Sequence, residues 1–276
     1  MQIITSRIRP MLKEKAIQFF ERKVLTMEKD RSENLKEVCS NLGFDVTKVI
    51  KDYNSLDCFS IMSTHFCANV IDRAIKKGYI DKSKIKSVCD FGSGTGMPLV
   101  VLKNAFQLTN GQLIALEQSE ALCKEILKLN ILKDSEVKMG DGIKYLESGK
   151  RKFDLITSCC LGPLSLESDL FKKLLLSASK SLTNEGKLLI YSDIVSMDLV
   201  EHTCKFNKIK YFKIEQEGLY TPTSIIISVD ELSKIKNLIL KRGLIIRCLK
   251  AYSEISNSSL KKRLFSNAVV SYFYKQ

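Results

Sequence analysis

No run of about 18 apolar residues occurs anywhere in the chain, and a helix needs roughly that many to cross a hydrocarbon core, so no membrane-spanning helix is expected. An apolar leader is missing as well. Met1 to Ala16 carry Arg7, Arg9, Lys13, Glu14 and Lys15 where a signal peptide would need an uninterrupted apolar core. Together these absences imply a cytoplasmic protein. The nine cysteines form no C-x-x-C pair and show no ligand spacing with the two histidines, so neither a zinc site nor a disulfide framework is expected. Cysteines scattered in this way usually serve as small buried hydrophobes. Arginine is scarce too, at 9 of the 44 basic residues, although arginine is the better bidentate reader of phosphate. The net charge of +13 is concentrated at the carboxyl end, where residues 230–276 hold ten basic side chains against three acidic ones. Lys234, Lys236, Lys241, Arg242, Arg247, Lys250, Lys261, Lys262 and Arg263 make either a phosphate-facing patch or the solvated faces of a last helix and loop.

What is present is a chain of 276 residues, 45% hydrophobic and 27% charged, enough for one large α/β domain with an appendage. Its most telling stretch is Ser87-Val88-Cys89-Asp90-Phe91-Gly92-Ser93-Gly94-Thr95-Gly96. Ile85 to Phe91 reads as a buried strand, Gly92 to Gly96 as a glycine-rich turn, and Pro98 to Gln107 as the helix that follows. Glycines here let the backbone take positive φ and come close to a ligand. The free N–H groups of the next helix favour an anionic or electron-rich group. Proline fits the helix entry, where its missing N–H costs nothing. A dinucleotide fingerprint would read G-x-G-x-x-G, whereas this turn reads G-x-G-x-G with an acid two residues upstream.

That pattern resembles the first motif of class I S-adenosylmethionine-dependent methyltransferases, and the later elements follow the same order. Gln112 to Leu116 is a short apolar strand ending in Glu117, 25 residues after Gly92. Glu136 to Met139 reads as a third strand before Gly140-Asp141-Gly142, and Phe153 to Ser158 as a fourth beginning F-D-x-I. The resemblance covers roughly residues 85–276. It implies S-adenosylmethionine as cofactor, with Asp90 near the methionine amino end, Glu117 on the ribose hydroxyls and Asp141 on the adenine amine. Gly92, Ser93, Gly94, Gly96, Gln118, Gly142 and Ser158 would complete the cofactor site. The implied fold is a doubly wound, mostly parallel seven-stranded α/β sheet.

Around this core, Asp169 to Leu182 reads as a helix, Thr183 to Gly186 as a turn and Lys187 to Tyr191 as the fifth strand. Ser228 to Glu231 has the form of a capping box, opening a helix that ends at Gly243, and Leu244 to Tyr252 and Ala268 to Tyr274 read as the last two strands. Residues 1–80 read as helical, over Met11–Met27, Ser32–Leu42 and Phe59–Lys77, and form either a cap over the cleft or a bundle that only stabilises. Residues 81–276 would be the catalytic domain, with residues 192–227 as an insertion beside the acceptor pocket.

The acceptor is the quiet part of the sequence. In-line methyl transfer draws much of its acceleration from positioning, so no conspicuous base is required. After the fourth strand stands Ser158-Cys159-Cys160-Leu161 rather than N/D-P-P-Y/F, which argues against the amide- and adenine-modifying branches of the family. His202, His65 and Tyr53 are the candidate catalytic side chains, each also readable as structural. Three functions stay open: a methyltransferase acting on a small molecule, one acting on RNA or protein, and a catalytically silent binding module of the same fold. The first is favoured by the two segments expected to enclose the cleft.

Overall fold

The computed structural model describes residues 30–50, 58–159, 170–191, 194–215 and 223–235. Three helices come first, α1 (Asp30–Asn41), α2 (Val46–Val49) and α3 (Cys58–Lys76). An alternating series follows: β1 (Val88–Phe91), α4 (Met97–Ala105), β2 (Leu113–Glu117), α5 (Glu120–Lys128), β3 (Val137–Met139), α6 (Gly142–Glu147), β4 (Phe153–Cys159), α7 (Leu170–Ser181) and β5 (Leu182–Tyr191). The described part closes with α8 (Ile194–Phe206), β6 (Phe212–Ile214), β7 (Ser224–Ser228) and α9 (Val229–Ser233).

The strands form one seven-stranded sheet in the order β3-β2-β1-β4-β5-β7-β6. The first five are parallel, and β7 runs antiparallel to both β5 and β6. The expected mostly parallel α/β sheet is therefore observed. Central strands covered on both faces read as unbroken apolar runs, and every residue of β1, β2 and Ser224–Ile227 is buried. Alternate residues serve opposite faces. Val88, Leu113, Ala115, Leu155, Leu189 and Tyr191 share a core with α1, α3 and α4, whereas Cys89, Phe91, Ile114, Ile156 and Ile190 pack with α7 and α8.

Several boundaries differ from those read in the sequence. Ile85 to Ser87 stay outside β1 because the Asp154 carboxylate, not a neighbouring strand, accepts the N–H groups of Lys86 and Ser87, both at 2.9 Å. Glu136 belongs to a short 3-10 turn ahead of β3, where its carboxylate takes the N–H of Lys133 at 2.6 Å. The turn expected at Thr183 to Gly186 lies inside β5: Leu182 pairs with Phe153, and pairing resumes only at Lys187 with Leu155.

The larger correction concerns residues 192–227. This segment, expected as an insertion, supplies α8, β6 and most of β7, and so completes the sheet. The run Ile225-Ile226-Ile227 carries the β-branched signature of a buried strand. The strands expected at Leu244–Tyr252 and Ala268–Tyr274 lie outside the described residues, as do the helix expected at Met11–Met27 and the continuation of α9 toward Gly243. Ser228 does cap α9, its hydroxyl accepting the Glu231 N–H at 3.4 Å. Of the amino-terminal helices, α1 and α3 fall where expected, and α3 lies beside α4 on one face of the sheet.

Candidate functional site

The strand order reverses direction between β1 and β4, and at such a switch point open α/β sheets bind ligands in a crevice outside the carboxyl ends of the strands. The glycine-rich turn rims this crevice. Gly92, Gly94 and Gly96 all take positive φ, at 73, 57 and 83°. Gly96 is the N-cap of α4, with Pro98 in the first turn. The three have different surroundings. A Cβ on Gly96 would stand 2.9 Å from Ile126 Cγ1, because α5 packs directly against the turn, whereas one on Gly92 or Gly94 would meet nothing within 4 Å. Gly96→Ala is therefore expected to destabilise the fold by about 2–4 kcal/mol through strain and overpacking. Gly94→Ala is expected to cost about 1 kcal/mol and act chiefly on ligand binding. Paired thermal melts and ligand titrations check the contrast, and equal melting temperatures for the two variants would refute it.

Glu117, at the end of β2, is buried and ties the crevice together. Its Oε2 accepts the Gly94 N–H at 2.8 Å, and its Oε1 accepts the N–H groups of Gln118 and Ser119 at 2.8 and 2.9 Å. Asp90, at 1% exposure, is held by the Thr157 hydroxyl, which donates to its Oδ1 at 2.6 Å. Its Oδ2 has no hydrogen-bond partner among the described residues. Burial raises the Asp90 carboxyl to about 6, against the opposing effect of the Thr157 hydrogen bond and with help from the negative charge of Glu117. The crevice thus holds two carboxylates, one short of a partner, beside an open stretch of glycine backbone.

The other residues expected at a cofactor site divide into rim and support. Asp141 is exposed and caps α6, its Oδ1 accepting from Ile143 N at 2.9 Å and Lys144 N at 3.2 Å. Gln118 is exposed beside Glu117. Ser93 turns its hydroxyl inward onto the Asp90 carbonyl at 3.0 Å, and Ser158 donates to the Phe91 carbonyl at 3.3 Å, so both hydroxyls brace the strand ends. Gly142 is small for packing reasons, since a Cβ there would sit 2.9 Å from the Phe91 ring.

The candidate catalytic side chains are not brought together. His65 is buried between α1 and α3, with its Nε2 2.8 Å from Asn34 Oδ1. His202 is exposed on α8, eight residues and so about 12 Å along a helix that starts just after β5. Tyr53 lies outside the described residues. Sequence reasoning did not single out Thr157, Cys67 or Tyr191. All three are buried on the side of the sheet that Asp90 faces, and the tyrosine ending the apolar run Leu188-Leu189-Ile190 was the available signal.

No protein-family model matches the chain, and no curated protein matches it. Among solved structures, it is similar to an S-adenosylmethionine-dependent methyltransferase from Clostridium acetobutylicum, at 15% identity over 72% of this chain and 81% of that one, with a TM-score of 0.39. It is similar to the ribosomal protein L11 methylase of Lactobacillus delbrueckii, at 17% identity over 59% and 78%, TM-score 0.44. A third is Aeropyrum pernix fibrillarin with natively bound S-adenosyl-L-methionine, at 11% identity over 59% and 76%, TM-score 0.44. The likeness is one of fold.

Proposed function

We propose that the chain is a class I methyltransferase that takes S-adenosylmethionine in the crevice between Asp90, the glycine turn and Glu117. The observation that carries this reading is the buried Asp90 carboxylate, with one oxygen unpartnered, beside a turn whose Gly92 and Gly94 face open space. A pyrophosphate brought to this turn would meet two carboxylates of its own sign. A cationic amino-acid end would neutralise Asp90, and ribose hydroxyls would find acceptor capacity on Glu117, whose oxygens each have two lone pairs. When bound, the cofactor supplies an electrophilic methyl group on a sulfonium. The residues of this chain bind and orient it: Asp90 holds the ammonium, Glu117 the ribose, Asp141 the adenine amine, and the backbone of Gly92 and Gly94 allows close approach. Alignment of the acceptor supplies much of the acceleration, so the lack of a histidine in the crevice among the described residues is no obstacle.

Calorimetric titration is expected to give micromolar affinity for S-adenosylmethionine and its demethylated product, with nicotinamide dinucleotides binding far more weakly. Tight dinucleotide binding with no response to the sulfonium compound would overturn the reading.

For the acceptor, a small molecule is our first choice, with residues 1–80 as the cover of the cleft and the protein acting in the cytoplasm. Among the described residues no helix is long and apolar enough to cross a membrane. The carboxyl-terminal excess of ten basic over three acidic residues favours the second reading, an RNA or protein acceptor. Incubation with methyl-labelled cofactor and separated cell fractions is expected to label the metabolite pool. Label confined to RNA or protein would replace the first choice with the second.

A further inference from the structure

The connections at the two ends of the sheet differ sharply in charge. Six of them leave the carboxyl ends of the strands that run with β1: residues 92–96, 118–119, 140–141, 160–169, 192–193 and 215–223. None of the six contains a Lys, Arg or His, and together they hold Asp141, Glu167, Asp169, Asp193, Glu215 and Glu217. At the amino ends the sign is reversed. Residues 77–87 hold four lysines against one aspartate, residues 148–152 read Ser148-Gly149-Lys150-Arg151-Lys152, and residues 207–211 hold two lysines and no acid. In a chain of net charge +13, the ligand end of the sheet is therefore rimmed by acid.

Acidic side chains alone name no ligand, but a second feature at the same rim does. Ser224, the first residue of β7, is fully buried, and its Oγ has no hydrogen-bond partner among the described residues. Buried polar atoms are nearly always partnered, so this hydroxyl calls for a ligand or a water to complete it. Ser224 pairs with Tyr191 at the carboxyl end of β5, and residues directly opposite each other share a face, here the one that Asp90 also takes. In the order β1-β4-β5-β7 it stands about 14 Å from Asp90 at the usual strand spacing, beyond the cofactor crevice. A hydroxyl offers lone pairs to an N–H, as a carboxylate does, so both features suit the same kind of partner.

We infer that the methyl acceptor is a small amine, cationic in water, drawn to the carboxyl end of the sheet by its acidic rim. The inference rests on the cofactor reading above. A sulfonium compound is itself positive, so a cationic acceptor is repelled from its neighbourhood unless carboxylates offset both charges. A polyanion meets the reverse situation, with acids where it would have to react and lysines at the far ends of the strands. For transfer, the ammonium first gives its proton to water. The freed nitrogen lone pair then forms the N–C bond as the C–S bond breaks, the bonding pair stays on sulfur as a neutral thioether, and the positive charge leaves on nitrogen.

The test incubates the full chain with methyl-labelled cofactor and a metabolite pool divided on cation and anion exchangers at neutral pH. Label is expected in the fraction that the cation exchanger retains. With that fraction as substrate, KM should rise about three- to tenfold between low salt and about 0.3 M salt while kcat holds, because the attraction of exposed charges is screened. Glu215→Gln, which leaves Lys213 its partner Glu201 at 2.7 Å, should raise KM about two- to threefold at low salt with kcat unchanged. Lys86→Gln, at the amino ends, should leave KM where it is. Label in the neutral or anionic fraction, in protein or RNA alone, or in no fraction overturns the inference, as does a KM indifferent to salt and to Glu215→Gln. Calorimetry with the cofactor alone separates the two readings: if it binds, the cofactor reading stands whatever the acceptor, and if it does not, both fall.

Discussion

Asp90→Asn is expected to make the ligand-free protein more stable at pH 8 and to abolish most of its affinity for S-adenosylmethionine. The stability effect follows from the sign of the shift. Burial raises the folded-state carboxyl to about 6 from an ordinary value near 3.8. An acid displaced upward favours folding while protonated, so wild-type stability from this group is fully present below about pH 3.8 and is lost as pH rises through 6. A displacement of about two pH units corresponds to about 3 kcal/mol. Asparagine keeps an oxygen for the Thr157 hydroxyl but carries no charge, so the variant should gain on the wild type by about 2–3 kcal/mol at pH 8 and match it at pH 4. Affinity moves the other way. Loss of an ion-paired hydrogen bond of about 3 kcal/mol is about a hundredfold in the dissociation constant. Wild-type affinity should also fall about tenfold for each pH unit below 6, with that slope missing in the variant. Denaturant unfolding and calorimetry at pH 4, 6 and 8 check both halves. A variant that binds as tightly as the wild type would remove Asp90 from the ligand site, and one that is less stable at pH 8 would refute the effect of burial.

The parts of the fold that were legible in the sequence are those with strong local chemistry. The run Val88-Cys89-Asp90-Phe91 before Gly92 could be nothing but a buried strand and turn. Ser228 signalled the helix start that it caps. What was not legible depends on pairing across the sheet. The three-residue β6 carries little pattern of its own, and β7 lies in the segment read as an insertion; only the register of Tyr191 with Ser224 and of Ile214 with Ser224 reveals their place. The site divides in the same way. Asp90 and Glu117 follow from their positions at strand ends, whereas the support roles of Ser93, Ser158 and Gly142 depend on where a hydroxyl turns or how close a ring lies. Tyr191 reads in the sequence as the end of an apolar run, and only the fold shows its hydroxyl buried beside the Cys67 thiol.

Glu117→Ala is expected to damage both binding and fold, because the carboxylate that we propose holds the ribose also tethers the glycine turn. A ligand contact alone predicts a loss of about 1.5–3 kcal/mol in affinity, ten- to a hundredfold, with the melting temperature unchanged. The structure adds a tether. One oxygen reaches across from β2 to the Gly94 N–H, and the other gathers the N–H groups of Gln118 and Ser119. Alanine leaves three backbone donors without their acceptor at a site that is 8% exposed in the parent. The turn then loosens, and a fall of several degrees in melting temperature accompanies the lost affinity. Glu117→Gln separates the duties. Its amide oxygen satisfies one side of the tether, but its amide nitrogen presents donors where the other side also donates. It should therefore fall between the wild type and alanine in stability, and lose the pairing with a ribose hydroxyl that a carboxylate makes best. Unchanged affinity in Glu117→Ala would place the ligand elsewhere. Lost affinity at an unchanged melting temperature would leave Glu117 a ligand contact and discard the tether.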